Sequence, residues 1–307
     1  MPDPAGAGLG SGRVGAADDA VTLAVVVTPE LPTRRFRAVA EAAEASGLAE
    51  LWLWEDVYRQ SAVAQAGALL SATKHLRVGL GVLPVPLRNP VLAAMDVATL
   101  VEMFPGRLTP GIGHGVQTWM AEVGARAASP LTLLREHATA LRPLLHGVHG
   151  EPVRADGRYV ALADARLVWP PAVPPPLYVG AHGPRTLRLA GEVGDGVILQ
   201  LGVSPDDTRA ALRTVAEGRA ARGHAGWFGA CVYVGVDAAL RAAGPRATAA
   251  HLRRFVEAGA TTVAVVPVGP DGTTPDMSDA AGFAAWLGAE VRPLLAGPGP
   301  APAGGQP

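Results

Sequence analysis

The sequence predicts a (β/α)₈ barrel formed by one chain of 307 residues, and three observations predict it. Eight short β-branched or apolar runs alternate with helical stretches, at 21–27, 50–54, 77–82, 108–112, 177–179, 196–199, 231–236 and 261–267. Several of these runs are apolar throughout instead of alternating, as strands of a parallel sheet covered on both faces are. No glycine-rich nucleotide fingerprint follows the first run, and with a count of eight this favours a closed barrel over a long open α/β sheet. A hydrophobic content of 49% is enough to fill a core of that size.

The helices follow in order. Residues 36–45 repeat apolar positions at helical spacing and stop before Gly47, a C-terminal cap. Residues 61–73 are rich in Ala and Leu, and 89–104 open with Asn89 as cap and Pro90 at the first helical position. The longest pattern is 130–146, with Pro143 a candidate kink. Helices over 184–192, 205–222, 245–258 and 278–294 complete the set. Between 147 and 176 the alternation breaks, with Gly147, Gly150, Gly157 and the prolines 170, 171, 174, 175 and 176. A hairpin over 153–168 turning at Asp156-Gly157 is expected, and an insertion of this length near a barrel mouth reads as a lid. Residues 1–19 and 295–307 lack apolar periodicity and read as disordered tails on a domain spanning 20–294.

The bulk numbers exclude several classes. A net charge of −1 leaves no basic excess for a nucleic-acid backbone. Cys231 is the only cysteine, so no internal disulfide forms, and its apolar neighbours make it a core residue. Without a secretory leader pattern or a membrane-length apolar run, a cytoplasmic protein is the expectation. No zinc spacing, Gly-x-Ser-x-Gly elbow or Walker loop is present, so no metal is expected. His75, His137, His146, His149, His224 and His251 are scattered and read as surface or helix-end residues.

Functional groups of such a barrel sit at the C-terminal ends of the strands. The second run ends in Trp54-Glu55-Asp56, two carboxylates beside tryptophans; partial desolvation there raises a carboxyl pKa and suits proton exchange, while a solvated loop start capping the next helix is the alternative. The third ends in Gly81-Val82-Leu83 and a proline-stiffened loop, a ligand wall or an ordinary connection. The fourth ends in Gly113-His114-Gly115 with Gln117 close behind, where glycines allow a flat ring to lie against the backbone. The fifth gives Gly180-Ala181-His182-Gly183-Pro184-Arg185 at the start of a helix, the outline of a phosphate cradle with Arg185 as an added cation.

Taken together, the segments EAAEASGLAELWLWED (from Glu41), PGRLTPGIGHG (from Pro105) and VGAHGPRTLRLAGEVGDG (from Val179) resemble the bacterial luciferase-like flavin oxidoreductases. Within them the similarity is to the branch that uses the deazaflavin coenzyme F420, the methylenetetrahydromethanopterin reductase branch, and it extends over about residues 20–294. The resemblance implies a TIM barrel with F420, or alternatively FMN, in its mouth. It implies a phosphate site on Gly180 to Arg185 and a non-proline cis peptide near Gly81-Val82-Leu83, with Trp54 and Gln117 lining the pocket. It also implies a homodimer and hydride transfer to a small organic substrate. The FMN alternative implies a monooxygenase fed by a separate flavin reductase, and a non-catalytic flavin-binding barrel is a third reading. One departure stands out: where members often carry Asp-His, this chain has Glu55-Asp56, so Asp56, Glu55 or His114 takes the proton-handling role.

Overall fold

The computed structural model describes residues 21–146 and 151–295. Of the tails expected at 1–19 and 295–307, only Leu295 is among the described residues, and it ends a helix; residues 147–150 of the insertion, His149 included, lie outside them. Among the described residues there are ten strands: β1 (Thr22–Val27), β2 (Glu50–Leu53), β3 (Arg77–Pro84), β4 (Leu108–Gly113), β5 (Val153–Asp156), β6 (Ala161–Ala165), β7 (Tyr178–Gly180), β8 (Gly196–Leu199), β9 (Gly229–Asp237) and β10 (Thr262–Val268). The helices are α1 (Phe36–Ala45), α2 (Ala62–Ala72), α3 (Pro90–Met103), α4 (Gln117–Glu122), α5 (Pro130–His146), α6 (Pro184–Val193), α7 (Pro205–Ala221), α8 (Ala238–Ala242), α9 (Pro245–Glu257), α10 (Ala280–Trp286) and α11 (Arg292–Leu295).

Eight strands close a barrel in the order β1-β10-β9-β8-β7-β4-β3-β2, each parallel to its neighbours. Closure explains the uninterrupted apolar runs: one face of each strand meets the lumen and the other meets a helix. β10 is buried at every position and β1 at all but Thr22. The helix ends follow local chemistry. Asn89 Oδ1 accepts the Val91 N–H at 2.9 Å, and Ser204 and Asp207 form a reciprocal capping box at the start of α7. Gly47 leaves α1 with φ of +83°, a left-handed conformation that glycine adopts without a Cβ penalty.

The lumen is filled by aromatic rings. Trp52 of β2 touches Tyr178 of β7 and Tyr233 of β9, strands that are not neighbours in the sheet, so these rings meet across the barrel interior. Two glycines of β3 make room for them. A Cβ on Gly79 would lie 2.3 Å from the Trp52 indole, and one on Gly81 would lie 1.8 Å from the Tyr233 hydroxyl. The glycines inside that apolar run therefore serve close approach.

Three expectations change. His137 is not at the surface: it is 1% exposed on the inner face of α5, and neither ring nitrogen has a hydrogen-bond partner among the described residues. Burial holds its imidazole down at about 4. The helical reading of 278–294 resolves into α10, a π turn at Leu287–Val291 and α11, with Ser46 Oγ donating to Ala284 O where the ladder widens. The 147–176 segment does form the hairpin, as β5 and β6 paired antiparallel, and none of its described residues lines the cavity at the barrel mouth. It leaves the end of α5, and its tip folds back along that helix. There the Glu136 carboxylate accepts the backbone N–H groups of Arg158, Tyr159 and Val160 at 2.7–3.0 Å. Two short helices, α4 and α8, escape the periodicity because each is under two turns long.

Candidate active site

A cavity of about 380 Å³ opens at the C-terminal ends of β2, β3, β4, β7, β8 and β9. Of the residues expected there, Trp54, Glu55, Asp56, Gly81, Val82, Gly113, His114, Gly115, Gly180, Ala181 and His182 line it. Leu83, Gln117, Gly183, Pro184 and Arg185 do not. Leu83 is buried beneath, and the Gln117 amide donates to the carbonyls of His114 and Gly115, bracing the loop instead of facing the cavity.

The two carboxylates behave differently. Glu55 is consumed: Arg88 grips both of its oxygens, Nη2 at 2.9 Å from Oε2, and Oε2 also accepts the Ala62 N–H at 2.9 Å, tying the end of β2 to the first turn of α2. Asp56 is half-buried, and its carboxylate has neither an ion pair nor a hydrogen bond among the described residues. Desolvation pushes its pKa up, the nearby charges of Glu30 and Glu55 add to the rise, and Arg59 opposes it.

The β3 wall carries a register shift between Leu80 and Leu83, and the Gly81–Val82 peptide is cis, at the place the family resemblance indicated. Val82 wedges between the next two strands: a Cβ on Gly113 would lie 2.8 Å from it, and one on Gly180 2.7 Å. Both positions must therefore be glycine if the wall is to close. The Tyr233 hydroxyl donates to Gly81 O at 3.1 Å from the far side. His114 Nε2 lies 3.2 Å from Thr186 Oγ1, and burial lowers its pKa, so the ring is held neutral.

At the cradle, Gly183 begins α6 with φ of +76°, Pro184 takes the first position, and no side chain caps the helix. The first-turn N–H groups of Arg185 and Thr186 thus have no intrahelical acceptor. Trp54 contributes a second open donor, since its indole N–H is buried without a hydrogen-bond partner among the described residues. Sequence reading missed Trp119, Gln200 and Tyr233, which also line the cavity. Gln200 was within reach as the polar residue ending the sixth apolar run. Tyr233 sits mid-strand, and only the closed barrel shows which face of β9 is inward.

A second, larger cavity of about 680 Å³ lies at the opposite end of the barrel. Its charged groups are largely engaged: Arg142 pairs with Asp195 at 2.8 Å, and Arg219 donates to Gly226 O while lying over the Phe228 ring. Its size does not make it the reactive site, because the helix C-termini and paired charges there leave few open donors. Among the described residues no cluster of metal-ligating side chains occurs.

The fold and the cavity have parallels in known proteins. The chain is 30% identical over 198 residues to 5,10-methylenetetrahydromethanopterin reductase of Methanolobus tindarius, covering 64% of this chain and 59% of that enzyme. It is 34% identical over 171 residues to an F420-dependent glucose-6-phosphate dehydrogenase of Beutenbergia cavernae, covering 55% of this chain and 51% of that enzyme. The matches thus span little more than half the length of these curated relatives. The structure of coenzyme F420 dependent tetrahydromethanopterin reductase from Methanopyrus kandleri superposes with a TM-score of 0.76 over 90% of this chain and 99% of that one; at 19% identity this likeness speaks for the fold. Residues 15–288 match the family model described as luciferase-like monooxygenase, and with nearly the whole barrel inside that match the chain belongs to the luciferase-like family.

Proposed function

We propose that this oxidoreductase transfers a hydride between coenzyme F420 and a small organic substrate in the mouth cavity, with Asp56 holding the proton that accompanies it. The observation that carries this reading is Asp56 itself, an unpaired and desolvated carboxyl facing the same cavity as an uncapped helix N-terminus. The residues present fit such a cofactor. The buried Trp54 N–H lacks an acceptor, and Gly81, Gly113, Gly115 and Gly180 leave the walls open to a flat ring. Gly180 to Arg185, with the first-turn donors of α6, would hold an anionic group of the cofactor, and Val82 with Gly113 would back its ring. Bound there, the deazaflavin supplies the two-electron chemistry.

The protein's own groups supply the rest. Asp56 keeps a proton at its carboxyl to higher pH than an ordinary aspartate, which suits exchange with a substrate oxygen or nitrogen. Glu55, pinned by Arg88, fixes the loop that carries Asp56. His114, neutral and bonded to Thr186, offers a second polar group across the cavity. Both curated relatives carry names that fit this reading, and the second is named for F420 dependence. The monooxygenase description of the family favours a second reading, in which reduced FMN occupies the same cradle and a separate reductase supplies it. A flavin-binding barrel without turnover is the third.

Fluorescence titration of the purified protein with F420 and, separately, FMN tests the choice. Tight F420 binding with weak FMN binding and no oxygen uptake supports hydride transfer, to be followed by a screen of enones, imines and alcohols. Preference for FMN with oxygen uptake in the presence of a flavin reductase overturns it. Binding without turnover across that screen would favour the non-catalytic barrel.

The protein is further proposed to act as a homodimer. α2 carries no charged side chain, and beside it α3 presents Leu92, Met95 and Met103 outward, about half exposed or more. The outer helices α6, α7 and α9 instead carry arginines and carboxylates there. A second copy covering α2 and α3 with its own equivalent face would bury this surface. Sedimentation should give a dimer that Met95→Glu converts to monomer; a wild-type monomer at micromolar concentration would refute the assignment.

A further inference from the structure

Five aromatic rings run the length of the barrel lumen. Trp54 stands 5.5 Å, centroid to centroid, from Tyr233; Tyr233 is 6.2 Å from Trp52; Trp52 is 5.9 Å from Tyr178; and Tyr178 is 6.4 Å from Trp227. Trp54 lies on the wall of the mouth cavity, and Trp227 lies in the cavity at the opposite end, 59% exposed. The three rings between them are at most 4% exposed. All five are of the readily oxidised types. The chain has five phenylalanines, yet none contributes a ring to this line, although packing alone would accept them equally.

A second feature is independent of the spacing. The Trp52 indole N–H donates to Glu50 Oε2 at 3.0 Å, and Arg77 holds the other Glu50 oxygen at 3.2 Å. A tryptophan that loses an electron becomes a strong N–H acid, and a carboxylate already hydrogen-bonded to that N–H takes the proton without rearrangement. The ring at the middle of the column is thus the one equipped to carry an oxidised state inside a closed barrel.

We propose that this column is an electron-transfer path that carries oxidising equivalents from the mouth of the barrel to its base. A one-electron oxidant at the mouth, such as a photoexcited flavin ring, takes one electron from Trp54 and is itself reduced. An electron from Trp52 refills Trp54 across Tyr233, and the Trp52 N–H proton passes to Glu50, leaving a neutral indolyl radical and a carboxylic acid. An electron from Trp227 then crosses Tyr178 to Trp52, and Glu50 returns the proton. Trp227, now one electron short, releases its indole proton to water at the base. Each centroid step is well inside the distance over which electrons tunnel between rings, and the path ends away from the substrate cavity.

The test does not depend on which cofactor binds. Cys231 is fully buried, so His182→Cys places a single accessible thiol at the mouth. A ruthenium polypyridyl photosensitiser attached there is oxidised by a flash and a dissolved cobalt(III) ammine acceptor, and peptide mass spectrometry locates the oxidised residue. The expected result is oxidation concentrated at Trp227, falling in Trp52→Phe to the level produced by unattached sensitiser. Trp227 oxidation that is unchanged in Trp52→Phe would overturn the proposal. If Trp52→Phe does not fold, Trp227→Phe decides, because that side chain is exposed. Transient absorption should then show a longer-lived tryptophan radical than in the parent, and an unchanged lifetime would equally overturn the path.

Discussion

The two ends of the barrel treat polar groups in opposite ways. At the N-terminal end they are satisfied. Arg107 donates to the carbonyls of Leu70, Thr73 and Leu76 and to the Thr73 hydroxyl, and the Glu44 carboxylate accepts three consecutive backbone N–H groups from Lys74 to Leu76. At the C-terminal end several are left open: the Asp56 carboxylate, the Trp54 N–H and the first turn of α6. The same strands thus end in a closed hydrogen-bond network on one side and in a set of unspent donors and acceptors on the other. The first arrangement is what stability requires of buried polar groups. The second costs stability and persists where a ligand completes it, so reactivity is assigned to the mouth despite the larger cavity below.

The largest expected effect tests the open end. Asp56→Asn should lower turnover by about 10²–10⁴-fold, the range for a lost general acid or base, while cofactor affinity measured by fluorescence stays near wild type. It should also remove one limb of the pH–rate profile, which in the wild type lies above the ordinary aspartate range because desolvation raises the Asp56 pKa. Retained turnover in Asp56→Asn would end the mouth assignment.

The satisfied end should respond in the opposite sense. Arg107→Ala strands several buried carbonyls and should cost about 3 kcal/mol in urea denaturation, with kcat of the remaining folded protein unchanged. A loss of activity greater than the loss of folded protein would show that the two ends are coupled.

His137 lies between them, and its effect depends on pH. Its imidazole titrates at about 4 in the fold against 6.5 when unfolded, so between those values the unfolded chain binds the extra proton. Stability should therefore fall as pH drops from 6.5 toward 4, by about 3 kcal/mol at most for a shift of this size. His137→Phe should flatten that acid slope in melting curves and leave stability near pH 7 little changed.

The smallest effect concerns the wall. Gly180→Ala would set a methyl 2.7 Å from Val82 and should cost about 1–3 kcal/mol as overpacking. Its loss of cofactor affinity should exceed its loss of stability if this wall backs the ring. Equal losses would reduce Gly180 to a packing residue.

Most of the fold was legible in the chain. The eight apolar runs map onto the eight barrel strands with ends shifted by at most two residues, because parallel strands covered on both faces need no alternation to be recognised. The caps at Asn89 and Gly47 read correctly because they are local chemistry. The site was legible in outline, since the strand ends carrying Trp54, Asp56, Gly113, His114 and Gly180 converge as barrel closure demands. Other features were not. Glu55 and Asp56 are adjacent carboxylates with the same local signal, and only the position of Arg88, 33 residues on, separates the paired one from the free one. His137 looked like any helix residue until the α5 packing buried it. The hairpin could be predicted from its turn, whereas its place along α5 depended on the Glu136 carboxylate meeting its backbone.

The sequence by itself determined the barrel, its helix ends and the list of candidate groups at the mouth, because period, capping and strand polarity act over a few residues. Tertiary structure alone decided which of those groups are left unpaired, which rings meet through the lumen and which end of the barrel is left open. Charge pairing, desolvation and cross-barrel contact depend on distances between residues far apart in the chain, and closure of the sheet sets those distances.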